Sequence, residues 1–222
     1  MSKDNAIKIL SLEEALKEAI DLSKKSAKKF VESVDIAAVL GIDPKQSDQI
    51  VKGSLVLPNG SGKKVKVIVF TANEETKKTA LDCGATFAGL EDLVAKIEGG
   101  FLDFDCCVAT PDVMQKISKI AKKLGPRGLM PSPKNGTVTN DVKKAVEDAL
   151  KGRVDFKNDK AGVLHCLVGK ADFEFDALLT NLKAVIKSIK DSRPEGSKGK
   201  FIKELYINTT MGSAVKVSTQ SL

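Results

Sequence analysis

The sequence predicts a mixed α/β and α+β protein of two domains. One is a discontinuous α+β two-layer domain made from residues 1–66 plus 158–222; the other is a doubly wound (Rossmann-like) three-layer α/β/α domain inserted at 67–157. Three observations carry this. The chain has 222 residues, long for one domain and comfortable for two. In its middle, near-continuous apolar runs at 65–70 and 104–109 alternate with helical patterns, the mark of parallel strands buried on both faces. Each flank holds too few strands to form a sheet alone, so the flanks are expected to share one.

Element by element, the chain opens with a capping box, Ser11-Leu12-Glu13-Glu14, in which Ser11 caps and Glu14 reaches back. Leu12, Ala15, Leu16, Ala19 and Ile20 follow at helical spacing. A strand at 33–40 ends at Gly41, and 41–49 is polar and irregular. A strand at 54–57 closes on Pro58-Asn59-Gly60. After the buried strand at 65–70 come a helix at 74–83, a short strand at 85–88 and a helix at 91–98 that stops at Gly99-Gly100. The strand at 104–109 leads to Thr110 as N-cap and Pro111 as first residue of a basic helix over 113–124. A proline- and glycine-rich loop precedes a helix at 141–151, stopped by Gly152. Last come a strand at 162–168, an amphipathic helix at 177–190 with Leu178, Leu182, Val185, Ile186 and Ile189 on one face, and an antiparallel pair at 201–210 and 214–217.

Composition narrows the function. A hydrophobic share of 42% with 29% charged residues is ordinary for a globular protein. No apolar run approaches the roughly 18–20 residues that cross a bilayer, and Met1-Ser2-Lys3-Asp4 lacks a secretory signal, so a cytoplasmic protein is expected. Cys83, Cys106, Cys107 and Cys166 lack the paired spacing of a zinc site and read as buried thiols in a reducing compartment. The net charge of +7 favours a polyanionic partner. By segment, 1–66 and 158–222 carry +3 each and 67–157 carries +1, so the discontinuous domain holds most of the excess. Aromatics make up only 5%, with one tyrosine, Tyr206. That argues against single-strand stacking and for RNA recognised as a folded shape, through backbone and 2′-hydroxyl contacts.

Catalytic motifs fail on inspection. Gly60-Ser61-Gly62-Lys63 lacks the earlier glycine and the following Ser or Thr of a phosphate loop, and a strand follows instead of a helix. The lone His165 has no partner nearby in sequence and reads as a solvent- or RNA-facing strand residue. Asp103 and Asp105 read as strand-end solvation. A nucleotide-dependent enzyme needs a glycine fingerprint and a catalytic pair, and neither is present. No cofactor, no metal and no enzymatic activity are expected. Lys116, Lys119, Lys122 and Lys123 read equally as a solvated helix face and as part of a partner surface, since they run into Gly125-Pro126-Arg127-Gly128, an exposed loop of the kind that serves a partner. Thr209-Thr210-Met211-Gly212-Ser213 ends a strand in small groups able to approach a minor groove and bond 2′-hydroxyls.

Taken together, the residues resemble the ribosomal protein L-one family of the large-subunit stalk, in its bacterial form. The resemblance rests on Leu40-Gly41-Ile42-Asp43-Pro44, Ala109-Thr110-Pro111-Asp112-Val113-Met114, Gly125-Pro126-Arg127-Gly128-Leu129-Met130-Pro131, Pro133-Lys134-Asn135-Gly136-Thr137-Val138, Arg193-Pro194-Glu195-Gly196 and Thr209-Thr210-Met211-Gly212. It implies a non-catalytic protein that binds folded large-subunit rRNA, moves with and helps release exit-site tRNA, and represses its own operon by binding its mRNA. It implies a monomer when free, with no membrane partner. Family RNA contacts map onto Lys29, Phe30, Thr210, Met211 and Gly212, and further onto Lys52, Lys160 and Thr209. Lys122, Lys123, Arg127 and Lys134 form a candidate second RNA or tRNA contact. The sequence departs from the family's habit at Asn59 (usually histidine), Lys52 (often arginine) and Asn208 (often threonine).

Overall fold

The computed structural model describes residues 9–25, 28–133, 136–197 and 199–219, and the chain is a mixed α/β protein. It separates into two compact units, Met1–Gly62 with Val154–Leu222, and Lys63–Arg153.

The first unit is a five-stranded sheet in the order β1 (Ile9–Leu10), β10 (Val215–Val217), β9 (Ile202–Thr209), β2 (Ser33–Leu40), β8 (Val163–Lys170). Only β1 pairs in parallel, with β10; the other pairings are antiparallel. Strand β2 alternates strictly, with Val34, Ile36, Ala38 and Leu40 buried and Ser33, Asp35, Ala37 and Val39 half-buried. One face therefore carries the core. Two helices cover it: α1 (Leu12–Lys25) buries Ala15, Leu16, Ala19 and Ile20, and α7 (Phe175–Asp191) buries Leu178, Leu182, Val185, Ile186 and Ile189. Each such leucine, isoleucine or valine contributes roughly 1.5–3 kcal/mol on burial. The α1 start is the predicted box: Ser11 N donates to Glu14 Oε2 at 3.2 Å and Glu14 N to Ser11 Oγ at 3.3 Å.

A two-stranded ribbon, β3 (Lys52–Val56) with β7 (Arg153–Lys157), belongs to the same unit except for Arg153. Asn158 bonds Val51 through both backbone and side chain, and the Phe156 ring occupies the space where a Gly53 Cβ would stand, 2.6 Å from Cζ. These neighbours set the strands antiparallel, so the end of β3 lies beside the start of β7. Strand β7 was not anticipated: the sequence places the end of the inserted domain at 157, whereas Val154–Lys157 group with the first, discontinuous unit, here called the outer unit. The fully buried Asn181 fastens the turn after β3, accepting from Asn59 N at 3.0 Å and donating to Gly60 O at 3.1 Å and Val168 O at 2.9 Å.

In the second unit, β5 (Phe87–Gly89), β4 (Val67–Phe70) and β6 (Cys106–Ala109) form a parallel sheet with β4 central. All four β4 residues are buried, and they alternate between two cores. Val67 and Val69 pack with Ala80 of α2 (Glu74–Asp82) and with Val142, Ala145 and Val146 of α6 (Val142–Leu150). Ile68 and Phe70 pack with Leu93 and Ile97 of α3 (Glu91–Glu98) and with Val113, Ile117, Ile120 and Leu124.

The expected basic helix at 113–124 is a chain of single turns instead. Helices α4 (Met114–Ile117) and α5 (Ala121–Leu124) are separated by the 3-10 turn Ser118–Ile120 and flanked by 3-10 turns at Pro111–Val113 and Gly125–Arg127. Thr110 makes no side-chain capping bond. Ser118 Oγ donates back to Met114 O at 2.9 Å, a bond that competes with the regular helical ladder.

Candidate nucleic-acid interface

The candidate site begins where β9 ends beside the start of β2. Thr210 N donates to Ser33 O at 3.1 Å, and Ser33 N donates to Thr210 Oγ1 at 2.9 Å, so Thr210 closes the ladder with its own hydroxyl. Gly212 N then donates to Thr209 O at 3.0 Å, turning the chain tightly. A Cβ at Gly212 would fall well inside contact distance of Thr209 Oγ1, so only glycine fits this turn without a shift.

Beneath the turn lies Glu32, 2% exposed, whose Oε2 accepts from Ser23 Oγ at 2.6 Å. That bond leads in holding the carboxyl below the usual carboxylate range, against its burial, with Thr209, Lys28 and the Met211 N–H adding to it. Glu32 Oε1 and Thr209 Oγ1 are nevertheless buried without a well-aligned hydrogen bond among the described residues. Around this polar floor, apolar side chains stand out in solvent: Phe30 is 53% exposed, Val31 47% and Met211 64%. Lys28 and Lys29 are exposed on the same segment. An apolar rim with cations beside it and a small-residue edge suits contact with riboses and phosphates.

The sheet face without helices continues from this end. It presents Tyr206 opposite Ala37, with His165 opposite Ala37 on the other side and Lys216 opposite Tyr206. Lys216 Nζ sits 5.6 Å over the Tyr206 ring and 2.6 Å from Glu204 Oε1, while Tyr206 Oη donates to Glu204 Oε2 at 2.7 Å. The Lys216 bond first, then the tyrosine, lowers the Glu204 pKa; the same carboxylate raises those of Lys216 and Tyr206. The trio keeps Glu204 and Lys216 charged and the phenol protonated at neutral pH. Sequence reading passed over it, although strict strand alternation places these residues on one side. Lys170, paired with Ser33, is a further cation at the Thr210 end that was missed.

Of the expected contacts, Lys29, Phe30, Thr209, Thr210, Met211 and Gly212 come together, with Thr209 itself buried. Lys160 does not join them. It lies in the exposed turn before β8, whose first residue Val163 pairs with Val39, at the other end of β2. That turn is built on Asp159, whose Oδ1 accepts Ala161 N and Val163 N at 2.8 Å each; the Val163 bond leads in lowering its pKa. Lys52 follows Val51, which pairs with Asn158, and so sits near Lys160 and away from Thr210. In the second unit Lys122 and Arg127 are exposed, Lys123 Nζ donates to Glu98 O, and Gly128 turns the loop at a φ of 72°. Lys134 lies outside the described residues.

Among the described residues no cluster of histidine, cysteine and carboxylate side chains is arranged to hold a metal ion, and no helix is long and apolar enough to cross a membrane. Burial pushes the Cys166 thiol up to about 12 and Cys107 higher still, so neither is a nucleophile at neutral pH.

Residues 22–213 match the model of the Ribosomal protein L1p/L10e family. The chain belongs to that family. The L1p/L10e match takes in both the 28–33 segment and the Thr210 end. Relatives named "Large ribosomal subunit protein uL1" include those of Dehalococcoides mccartyi, 48% identical over 98% of this chain and 94% of the relative, and Chlamydia caviae, 46% identical over 94% and 90%. That of Thioalkalivibrio sulfidiphilus is 49% identical over 92% of this chain and 89% of the relative.

Proposed function

We propose that the chain is a structural, non-catalytic protein of the large ribosomal subunit, and that its outer unit grips a folded region of large-subunit rRNA. One observation carries the reading: Phe30, Val31 and Met211 stand exposed beside Lys28 and Lys29, over a floor held rigid by Thr210, Gly212 and Glu32. Apolar side chains that face solvent around a fixed polar turn call for a partner. Here the surrounding charge selects a polyanion, with phosphates supplying affinity and the turn supplying fit to shape. The helix-free face with Tyr206, Lys216 and His165 extends the platform.

The discontinuous outer unit is the rRNA-binding domain in this reading, and the inserted unit is a Rossmann-like domain. Lys122, Lys123 and Arg127 make a second contact, to exit-site tRNA or further rRNA. The same outer surface binds the protein's own operon mRNA, in competition with rRNA. The free protein is a cytoplasmic monomer. Filter binding of the full chain to a large-subunit rRNA fragment tests the reading. Binding should weaken steeply as salt rises, by about 0.9 log units per log unit of salt for each phosphate contacted in a duplex region. Salt-insensitive binding, or none, refutes it.

A further inference from the structure

We infer a phosphate-binding pocket at the far end of the outer unit, one that holds an RNA backbone phosphate away from the Thr210 platform. A cavity of about 380 Å³ is lined by Lys190, Arg193, Lys200, Phe201, Ile202 and Thr219. Three of these are cations and none is an acid. None of the three cations forms an ion pair with a described residue. The inference rests on the rRNA reading above and extends it to a second place on the same unit.

Arg193 is preorganised. Its Nη2 donates to Ser197 O at 3.0 Å and Gly199 O at 3.1 Å, and its guanidinium lies 5.9 Å from the centroid of the Phe201 ring. Lys200 Nζ donates to Thr219 Oγ1 at 2.6 Å, which fixes the ammonium and uses one of its three donors. Lys190 stands in the last turn of α7, where the helix itself would claim a cation. Two carbonyls there are already engaged: Ser192 N and Oγ both donate to Ser188 O, and Arg193 N donates to Lys190 O. Phe201 and Ile202 are buried and form an apolar wall, against which a charge is screened less than in open water.

Ile202 pairs with Leu40, and Thr209 pairs with Val34. The pocket and the platform thus sit at opposite ends of β9, about 23 Å apart at ~3.3 Å per strand residue. A free metabolite spans no such distance. A polymer of phosphates does, and that favours RNA over a small anion as the occupant.

The test is the double variant Lys190→Gln/Lys200→Gln in the full chain. It leaves Arg193 and its loop in place and removes two exposed charges. Binding of the same rRNA fragment should fall roughly 5- to 10-fold near 0.1 M salt. The log–log salt slope should become shallower by about one. The Lys190→Arg/Lys200→Arg variant should keep both. An unchanged slope and affinity in the glutamine variant, with wild-type binding intact, overturns the pocket alone. Equal losses in the arginine and glutamine variants also overturn it, since charge is then not what matters. Failure of the wild-type chain to bind the fragment sinks this inference together with the rRNA reading.

Discussion

Replacing Gly212 by alanine puts a methyl group where Thr209 Oγ1 already stands. The neighbour cannot swing freely, because Thr209 is 1% exposed on a strand paired to Val34. Overpacking of this kind costs about 1–3 kcal/mol. If that turn is the RNA contact proposed above and the strain falls wholly on it, affinity drops about 5- to 140-fold, at 1.4 kcal/mol per decade. Filter binding of the rRNA fragment reads the loss, and thermal unfolding reads how much strain reaches the folded state. The cause is a single oxygen atom, so it has a specific remedy. Thr209→Ala removes Oγ1 and keeps Cβ, which at 3.5 Å makes only an ordinary van der Waals contact. The double variant G212A/T209A should therefore bind more tightly than G212A alone, with a coupling well beyond the ~0.5 kcal/mol scatter of independent sites. Wild-type behaviour of G212A, or additive effects in the cycle, would show that the close approach is not what requires glycine.

Three further outcomes follow from the same geometry. Thr210→Val loses the acceptor for Ser33 N and should weaken rRNA binding by roughly 1 kcal/mol or more, measured by calorimetry; equal affinity would remove Thr210 from the site. Glu32 has a lowered pKa, so its charge stabilises the fold above the ordinary carboxylate range, and that contribution is lost as pH falls through the lower folded value. The stability gap between wild type and Glu32→Gln, read by urea unfolding, should accordingly be present at pH 7 and close in acid below that value; a gap independent of pH contradicts this. Asn181→Leu strands Asn59 N, Gly60 O and Val168 O and should cost roughly 2–4 kcal/mol in the same assay, a loss under 1 kcal/mol being the contrary result.

Much of this was legible from residue order alone, where local rules and tertiary packing agree. Ser11 and Glu14 make the reciprocal bonds their spacing requires, and β2 occupies the predicted residues because its alternation matches a half-buried sheet. The failures have physical causes. Ribbon strand β7, Arg-Val-Asp-Phe-Lys, is so charged that its pairing with β3 is visible only once Phe156 is seen over Gly53. The 113–124 segment has helical spacing, yet a 3-10 turn at Ser118–Ile120 interrupts it where the Ser118 hydroxyl bonds back to Met114 O, a detail that spacing does not encode. At the candidate site, Lys29 and Thr210 are far apart in sequence and meet through β2–β9 pairing, which the family resemblance supplied and periodicity did not. That pairing also separates Lys52 and Lys160 from the Thr210 end, a split that no local pattern encodes. Glu32 stood unnoticed because an acid in a basic surface gives no signal until its burial is known.

The order of strands in the outer sheet bears on how the protein is made. Central strand β2 has β9 on one side and β8 on the other, and both come after Lys63–Arg153 in the chain. A ribosome synthesising this protein finishes the parallel-sheet unit while β2 still has two bare edges. Domains close as units from the N-terminus onward, and here an early strand must wait for some of the last. Because Ser33 meets Thr210 only at that late stage, a nascent or prematurely released chain lacks the Thr210 turn that closes this ladder.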